Sequence, residues 1–409
     1  MRTGTALALA LVLGFPAAAG CGEAATAPAT SAGELVVWAD AGRVAALEPV
    51  AEAYGRANGV TVRLTTLTGD GQATFVTAAQ QGTGPDVVVG PHDWTGSLVR
   101  NGAIEPVRLT AAQRADYPPS VVSAVTWSGQ TYAVPYAVEN LALIRNVDLA
   151  PRAPRTVEEL VDAGGRLKRA GRTSEALCLP VGQNGDSYHI FPLYTSAGGY
   201  LFGTAADGAY DPADLGFGKA GSVAAFTKIR ALGEAGAGVL RRSIGGENAK
   251  SMFLRGRCPF FVSGPWAVGD IKKAGIAYAI DPIPGFDGGA PARPFLGVQA
   301  FFVAAKGRNR LLAQSFVTGF ANDPDLAVEL YRRDPRPPAL TAALDRVARE
   351  DPDAARFAAA GAGGPPMPGL AAMPAIWTTF GKAEAAIIGG ADVPSTLRAA
   401  ARSMSAQLR

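Results

Sequence analysis

The sequence predicts an α/β fold, and three observations carry that prediction. Apolar runs of strand type alternate with segments of helical spacing at the intervals of βαβ units, which build a parallel sheet with helices on its faces. Of the 409 residues 48% are hydrophobic and 18% charged, a composition that suits a packed chain of two or three domains and opposes a disordered or coiled-coil one. The strand and helix pattern also recurs with changed content, so two sheets and a helical remainder are expected, a division that fits two lobes.

In chain order, Glu34-Leu-Val-Val-Trp38 is a short apolar strand, followed by helical spacing through Val44, Leu47, Val50, Ala51 and Tyr54. That helix should stop at Asn58-Gly59, where glycine supplies the left-handed end. Val60–Leu64 alternates as a strand, Ala73–Gln81 is a helix, and the unbroken run Asp86-Val-Val-Val89 is a buried parallel strand. Further strands are expected at Thr131–Val134, Ala142–Ile144, Ala176–Pro180, Pro259–Val262, Tyr278–Ile280 and Gly297–Val303, with helices at Thr156–Ala170 and Ser222–Ala235. The last third is helical, at Arg310–Ala321, Pro324–Tyr331, Thr341–Glu350 and the Ala-rich stretch from Pro374. Prolines at 335–338 and 365–368 interrupt helices and mark places where the chain passes between lobes.

The first 33 residues concern the compartment. Met1-Arg2 and the apolar run Ala6 to Phe15 form a secretory signal over residues 1–20, since the run is about half of the ~20 residues a spanning helix needs. Ala18-Ala19-Gly20-Cys21 resembles a bacterial lipoprotein cleavage box, with Cys21 as the lipidated first residue of an exported chain anchored to the outer face of the cell membrane; ordinary cleavage after a small-x-small triplet is the alternative. Residues 21–33, rich in Ala, Thr, Ser and Pro, read as a flexible tether. With Cys21 used, Cys178 and Cys258 are left, either paired in an oxidising exterior or buried as free thiols.

Charge and motifs exclude several classes. The balance of 38 basic against 35 acidic side chains offers no field for phosphates, so no nucleic-acid partner is expected. His92 and His189 are the only histidines and stand in no metal-ligand spacing, so no metal or other cofactor is expected. Gly216-Phe-Gly-Lys-Ala-Gly221 matches G-x-G-x-x-G, but Asp211–Leu215 before it reads as a turn and not a strand, which leaves a Gly-rich loop leading to Ser222 as the N-cap of an ordinary helix. There is no P-loop and no nucleophile elbow. Paired carboxylates could still serve a glycosidase, because their separation is spatial.

Six short motifs give a more specific reading: Leu35–Trp38; Gly84-Pro-Asp-Val-Val-Val-Gly-Pro-His-Asp93; Ala133-Val-Pro-Tyr-Ala-Val-Glu139 with Leu143–Leu149; Ser263-Gly-Pro-Trp266; Pro294–Val298; and Met367-Pro through Ile376-Trp377. In this order and spacing the chain resembles the maltose-binding branch of the bacterial extracellular solute-binding proteins, over nearly all of its length after residue 33. The resemblance implies a two-lobed periplasmic-binding-protein fold of type II, with the ligand in a cleft closed by a hinge. It divides the chain into a first lobe of residues 34–140 plus 296–335 and a second of 141–295 plus 336–409. It further implies a monomer without enzymatic activity that binds maltose or malto-oligosaccharides and passes them to the permease subunits of an ABC importer. The alternatives are an exported glycoside hydrolase and a receptor for trehalose or another oligosaccharide.

A sugar presents hydroxyls at its edge and C–H groups on its face, so its site needs fixed polar groups and aromatic platforms. By the resemblance, Asp93 and Glu139 are the sugar-binding carboxylates and Trp266 and Trp377 the stacking rings, with Tyr188 and Asp186 beside them and Asp40 and Arg43 in the loop after the first strand. Two departures stand out. An aromatic found in relatives before the His-Asp pair is Gly90 here, with Trp94 just after it, and a further aromatic position is Val268.

Overall fold

The computed structural model describes residues 33–204, 210–320 and 323–409. The expected signal, lipidation and tether segments up to Ala32, Cys21 among them, lie outside the described residues, as does the end of the helix expected to run to Ala321. Among the described residues no helix is long and apolar enough to cross a membrane.

The first sheet is built as the apolar spacing dictates. Strand β1 (Glu34–Ala39) leads through helix α1 (Ala41–Asn58) to β2 (Thr61–Thr66), then through α2 (Gly71–Gln81) to β3 (Val87–Pro91). All three are parallel, with β1 between the others. Helix α1 stops where Gly59 takes a left-handed φ of 64°. A short 3-10 turn (His92–Trp94) and α3 (Thr95–Arg100) follow, then β4 (Ile104–Glu105), α4 (Ala111–Ala115), α5 (Pro119–Ala124), the hairpin β5 (Thr126–Trp127) and β6 (Gln130–Thr131), and β7 (Ala133–Glu139).

The second sheet begins at β8 (Ala142–Asn146). After it come α6 (Val157–Arg169), α7 (Ser187–Ser196), the antiparallel pair β9 (Phe202–Thr204) and β10 (Tyr210–Leu215), α8 (Ala220–Leu232), α9 (Gly246–Leu254) and β11 (Phe260–Ser263). A second 3-10 turn (Pro265–Ala267), α10 (Val268–Lys273) and β12 (Tyr278–Asp281) complete it. Strand β8 lies between β11 and β12 and is antiparallel to both, so this sheet is not the parallel repeat that the pattern suggested. Ala176–Pro180 forms no strand either: Cys178 alone bridges to Phe261, and Pro180 has no N–H with which to extend the pairing.

The chain then returns through β13 (Gly297–Ala304), which is buried along its whole length and lies antiparallel to β3, β4 and β7 in the first sheet. Helices α11 (Arg310–Gly319), α12 (Pro324–Arg333), α13 (Thr341–Glu350), α14 (Pro352–Ala360), α15 (Met373–Ile388) and α16 (Val393–Gln407) end the chain. Alternation puts Val88, Val298 and Phe302 on one face of the first sheet and Val89, Phe301 and Val303 on the other, each under its own helices. Leu340, Ala343 and Val347 of the α13 region join the first of these clusters, whereas Phe357 and Ala360 of α14 pack with β8 and β11. An aromatic core of Phe191, Tyr194, Phe217, Phe226 and Phe380 joins α7, α8 and α15.

Both proline clusters lie against strands that connect the two sheets. Val138 N–H donates to the Pro337 carbonyl at 2.7 Å and Ala339 N–H to Tyr136 at 3.1 Å, while Leu296 N–H donates to Pro365 at 2.8 Å. Proline suits such a sheet edge because no donor is required there.

The Gly-rich motif needs a correction. Tyr210–Leu215 is a strand, so a strand does precede the glycines, but it belongs to an antiparallel hairpin. A Cβ at Gly216 would strike Tyr200 and one at Gly221 the Gly198 carbonyl, so these glycines serve close packing. Ser222 is not the helix cap: it lies inside α8, buried, with its hydroxyl donating to the Gly216 carbonyl at 2.7 Å.

Cys178 and Cys258 are fully buried and joined in a disulfide that closes a sequence separation of 80 residues. Replacing both by serine is expected to lower stability by about 2–5 kcal/mol, because the denatured chain regains a long free loop. Urea denaturation checks this, and an unchanged midpoint would contradict it.

Candidate functional site

The carboxyl ends of β1, β2 and β3 open at one edge of the first sheet, where parallel α/β sheets place their binding residues. Asp40 and Arg43 follow β1, and Asp93 and Trp94 follow β3. Strand β7 brings Glu139 beside them by running antiparallel to β13, with Glu139 opposite Gly297. The second half contributes Tyr188 at the start of α7, Trp266 in the turn after β11 and Trp377 on α15.

Each half carries a tryptophan folded over a glycine. A side chain at Gly90 would run into the ring of Trp94, and one at Gly264 into the ring of Trp266. In both cases the strand ends, the chain makes one 3-10 turn, and the indole lies back over the strand end. The space of the aromatic missing at 90 is thus filled by Trp94, and glycine is required at both positions.

A polar chain runs beneath these rings. Gln299 on β13 accepts from Arg43 at 2.5 Å and donates through Nε2 to Glu139 Oε1 at 2.6 Å. The other oxygen of Glu139 accepts from Arg336 Nε at 2.6 Å, and Arg336 also pairs with Asp334. Arg336 and Glu139 side chains are only 11% and 9% exposed, so the pair is largely removed from water. The Arg336 guanidinium also sits over the Trp266 ring, 5.8 Å from its centroid. Arg43 donates its Nε to the Tyr136 hydroxyl at 2.9 Å and pairs with Asp40.

Asp93 is held differently. Its Oδ2 accepts the indole N–H of Trp377 at 2.9 Å, while its Oδ1 is buried and receives no hydrogen bond from the protein. Burial pushes its pKa up to about 6, against the opposing effect of the indole bond. Tyr188 matches it: the hydroxyl is buried without a protein partner, and burial together with the charges of Glu139, Asp186 and Asp93 raises its pKa well above the ordinary value. Trp377 itself is fixed edge-on against Phe295, ring centroids 5.5 Å apart.

The structure thus gathers Asp93, Glu139, Tyr188, Trp266 and Trp377 around one place, and two further expected carboxylates, Asp40 and Asp186, are engaged at helix ends. Asp40 caps α1, accepting Arg43 N–H at 3.0 Å, and spends its second oxygen on the Arg43 guanidinium. Asp186 caps α7, accepting the backbone N–H of His189 at 3.0 Å and meeting its ring Nδ1 at 2.8 Å. Burial alone would raise Asp186, but the His189 ring and the N–H bonds outweigh it and hold the group below the usual carboxylate range.

Sequence reasoning missed Arg336, Gln299 and His92. The one signal for Arg336 was its place inside a proline cluster. Buried His92 links the halves: Nδ1 accepts from Val298 N–H at 3.0 Å and Nε2 lies 3.0 Å from the Met367 carbonyl, while burial lowers its pKa to about 4 and keeps the ring neutral. Among the described residues no cluster of His, Cys, Asp and Glu is placed to hold a metal ion.

The family model for bacterial extracellular solute-binding proteins matches residues 50–361. The chain is 28% identical to the galactooligosaccharide-binding protein of Bacillus subtilis (strain 168), over 96% of this chain and 94% of that protein. It is 29% identical to a maltooligosaccharide ABC transporter solute-binding lipoprotein of Streptococcus pneumoniae over 69% of this chain and 67% of the relative. It is also 28% identical to a maltotriose-binding protein of Pyrococcus abyssi, where 62% of this chain covers 54% of the relative.

Removing Arg336 deprives the buried carboxylates of Glu139 and Asp334 of their bonded counter-charge and leaves only the more distant Arg43, so Arg336→Ala is expected to cost about 3–5 kcal/mol. Adding Glu139→Gln should recover part of that loss in a double-mutant cycle followed by urea denaturation; strictly additive effects would show that the pair is not coupled.

Proposed function

Because the chain belongs to the bacterial extracellular solute-binding protein family, we propose that it is the oligosaccharide-binding component of an ABC importer, exported and anchored through Cys21. Its cargo on this reading is a short neutral oligosaccharide, with malto-oligosaccharides first and galacto-oligosaccharides second, the latter because the relative matched over nearly its full length carries that name. The permease subunits are the macromolecular partner.

One observation carries the reading: Asp93 Oδ1 and the Tyr188 hydroxyl are buried without protein partners beside the rings of Trp266 and Trp377. Buried polar atoms in a native fold are nearly always paired, and a sugar hydroxyl is a fitting partner for both an acceptor and a phenol. Glu139, with both oxygens engaged by Gln299 and Arg336, holds the floor of the site in this reading, and Asp40 and Asp186 hold helix ends. Trp94 serves as the ring of the first lobe. A cargo without negative charge fits a cluster in which Arg43 and Arg336 are already engaged by three carboxylates, Asp40, Glu139 and Asp334.

The packing of Leu340, Ala343 and Val347 with the first sheet supports a first lobe of residues 34–140 plus 296–350, larger than the boundary at 335 expected from sequence. The second lobe is then 141–295 plus 351–409. Closure would bend the segments around Glu139–Ala142, Leu296 and the stretch after α13.

Calorimetric titration with maltose, maltotriose, trehalose and β-1,4-galactotriose tests the cargo, and binding to none at millimolar concentration would sink it. Recovery of the sugar intact after overnight incubation separates a receptor from a hydrolase. Tyr188→Phe is expected to weaken binding about tenfold, the worth of ~1.4 kcal/mol, while leaving thermal stability unchanged or raised, since the lost hydroxyl had no protein partner.

Asp93 gives a pH prediction in two directions. Its carboxyl titrates at about 6 in the folded protein, against 3.8 for an ordinary aspartate. The stability that the neutral form contributes is therefore fully present below pH ~4 and lost as pH rises through ~6. Sugar affinity should run the other way, falling as pH drops below ~6, because a hydroxyl donating to Oδ1 favours the carboxylate. Affinity that is flat from pH 5 to 8 would show that Oδ1 accepts nothing from the sugar.

A further inference from the structure

The loop before α7 and the middle of α15 meet backbone to backbone. Gly185 has a φ of +78°, and a side chain there would fall on the carbonyl of Gly381. A Cβ at Gly381 would in turn come within 2.8 Å of the Asn184 carbonyl. Neither position leaves room for anything larger than glycine. One turn further along α15, Glu384 is fully buried, and its Oε2 accepts the Asp186 N–H at 2.8 Å. Its Oε1 is buried too and has no partner. Trp377 lies roughly two turns before Glu384 on the same helix, and its carbonyl is 3.5 Å from the Ser187 hydroxyl at the start of α7.

We propose that Glu384 is a positioning residue of the ligand site: through the Asp186 N–H it holds the first turn of α7, and with it the Tyr188 ring, against the helix that carries Trp377. This rests on the reading that Tyr188 and Trp377 meet the sugar.

The carboxyl does this in its neutral form. Among the described residues no cation faces it: Asp186, from α7, is the charge that acts on it, and burial beside that carboxylate raises the Glu384 pKa well above the ordinary value. Of the other titratable groups on that turn, His189 is engaged with Asp186 and the Tyr188 hydroxyl is raised well above its ordinary range and stays neutral. Lys382 on α15, Lys228 and Arg230 on α8, and Arg398 and Arg402 on α16 are all exposed. An ionised Glu384 would be a buried charge beside a like charge, and burial and Asp186 together outweigh the Asp186 N–H bond, which by itself favours the carboxylate.

The test compares the full chain with Glu384→Gln, which keeps shape and neutrality, and Glu384→Ala, which removes the acceptor. Titration uses maltotriose and β-1,4-galactotriose at pH 7, and hydrogen exchange of residues 182–189 is followed without sugar. At pH 7 the Gln variant should bind within about twofold of the parent and the Ala variant at least tenfold more weakly. Protection of 182–189 should be parental in the Gln variant and lost in the Ala variant. Parental affinity or parental protection in the Ala variant overturns the proposal, as does a Gln variant impaired as much as Ala. Should the parent bind neither sugar, the oligosaccharide reading fails by itself, and the exchange comparison still decides the role of Glu384.

Discussion

The ion pair between Glu139 and Arg336 is the contact on which the site depends. Two charges taken out of water are costly unless each is fully engaged, and here they are: Gln299 takes one oxygen of Glu139, Arg336 the other, and Asp334 shares the guanidinium. The partners come from three separate stretches, β7, β13 and the segment after α12. Satisfying the pair therefore ties those stretches together, with the Trp266 ring against the Arg336 guanidinium and Arg43 bonded to Gln299. On the proposed reading Glu139 anchors this frame, and Asp93 Oδ1 and the Tyr188 hydroxyl are left with unused hydrogen-bonding capacity.

The two tryptophans folded over glycines express a related economy. A ring attached at the strand end itself would stand over the sheet, whereas a ring attached a turn later and folded back presents its face from a rigid base. Using the same device in both halves puts an aromatic surface on each side without a flexible loop, and the cost is a glycine fixed at 90 and another at 264.

Much of this was legible in the sequence. The alternation from β1 to β3 and the Asn58-Gly59 stop are local signals, and local signals survive folding. Asp93, Trp266 and Trp377 were found through motif order, and the structure brings them together. What escaped has physical reasons. Helix α7, Ser-Tyr-His-Ile-Phe-Pro-Leu-Tyr-Thr-Ser, is poor in strong helix formers and contains Pro192, so its helicity comes from packing against Phe226 and Phe380 and from the Asp186 cap. Strand β10 was hidden by Asp211-Pro212, residues that usually make turns. Arg336 is 197 positions from Glu139, and no window on the chain reveals such a partner. Asp40 and Asp186, expected at the ligand, each cap a helix in the structure, a role the sequence did not announce because a helix cap and a ligand contact ask for the same residue type.

The proline run beside β7 has a consequence for how copies of this chain behave in a crowd. A sheet grows by offering alternate N–H and C=O groups along a free edge, and an open edge invites a strand from a neighbour. Here the segment seated on that edge is Pro335-Arg-Pro-Pro338, in which three of four residues have no N–H to offer. The edge is closed chemically by the lack of donors, and no extra element is needed to cover it. Molecules packed densely in one layer could then brush past one another along this side without exchanging strands.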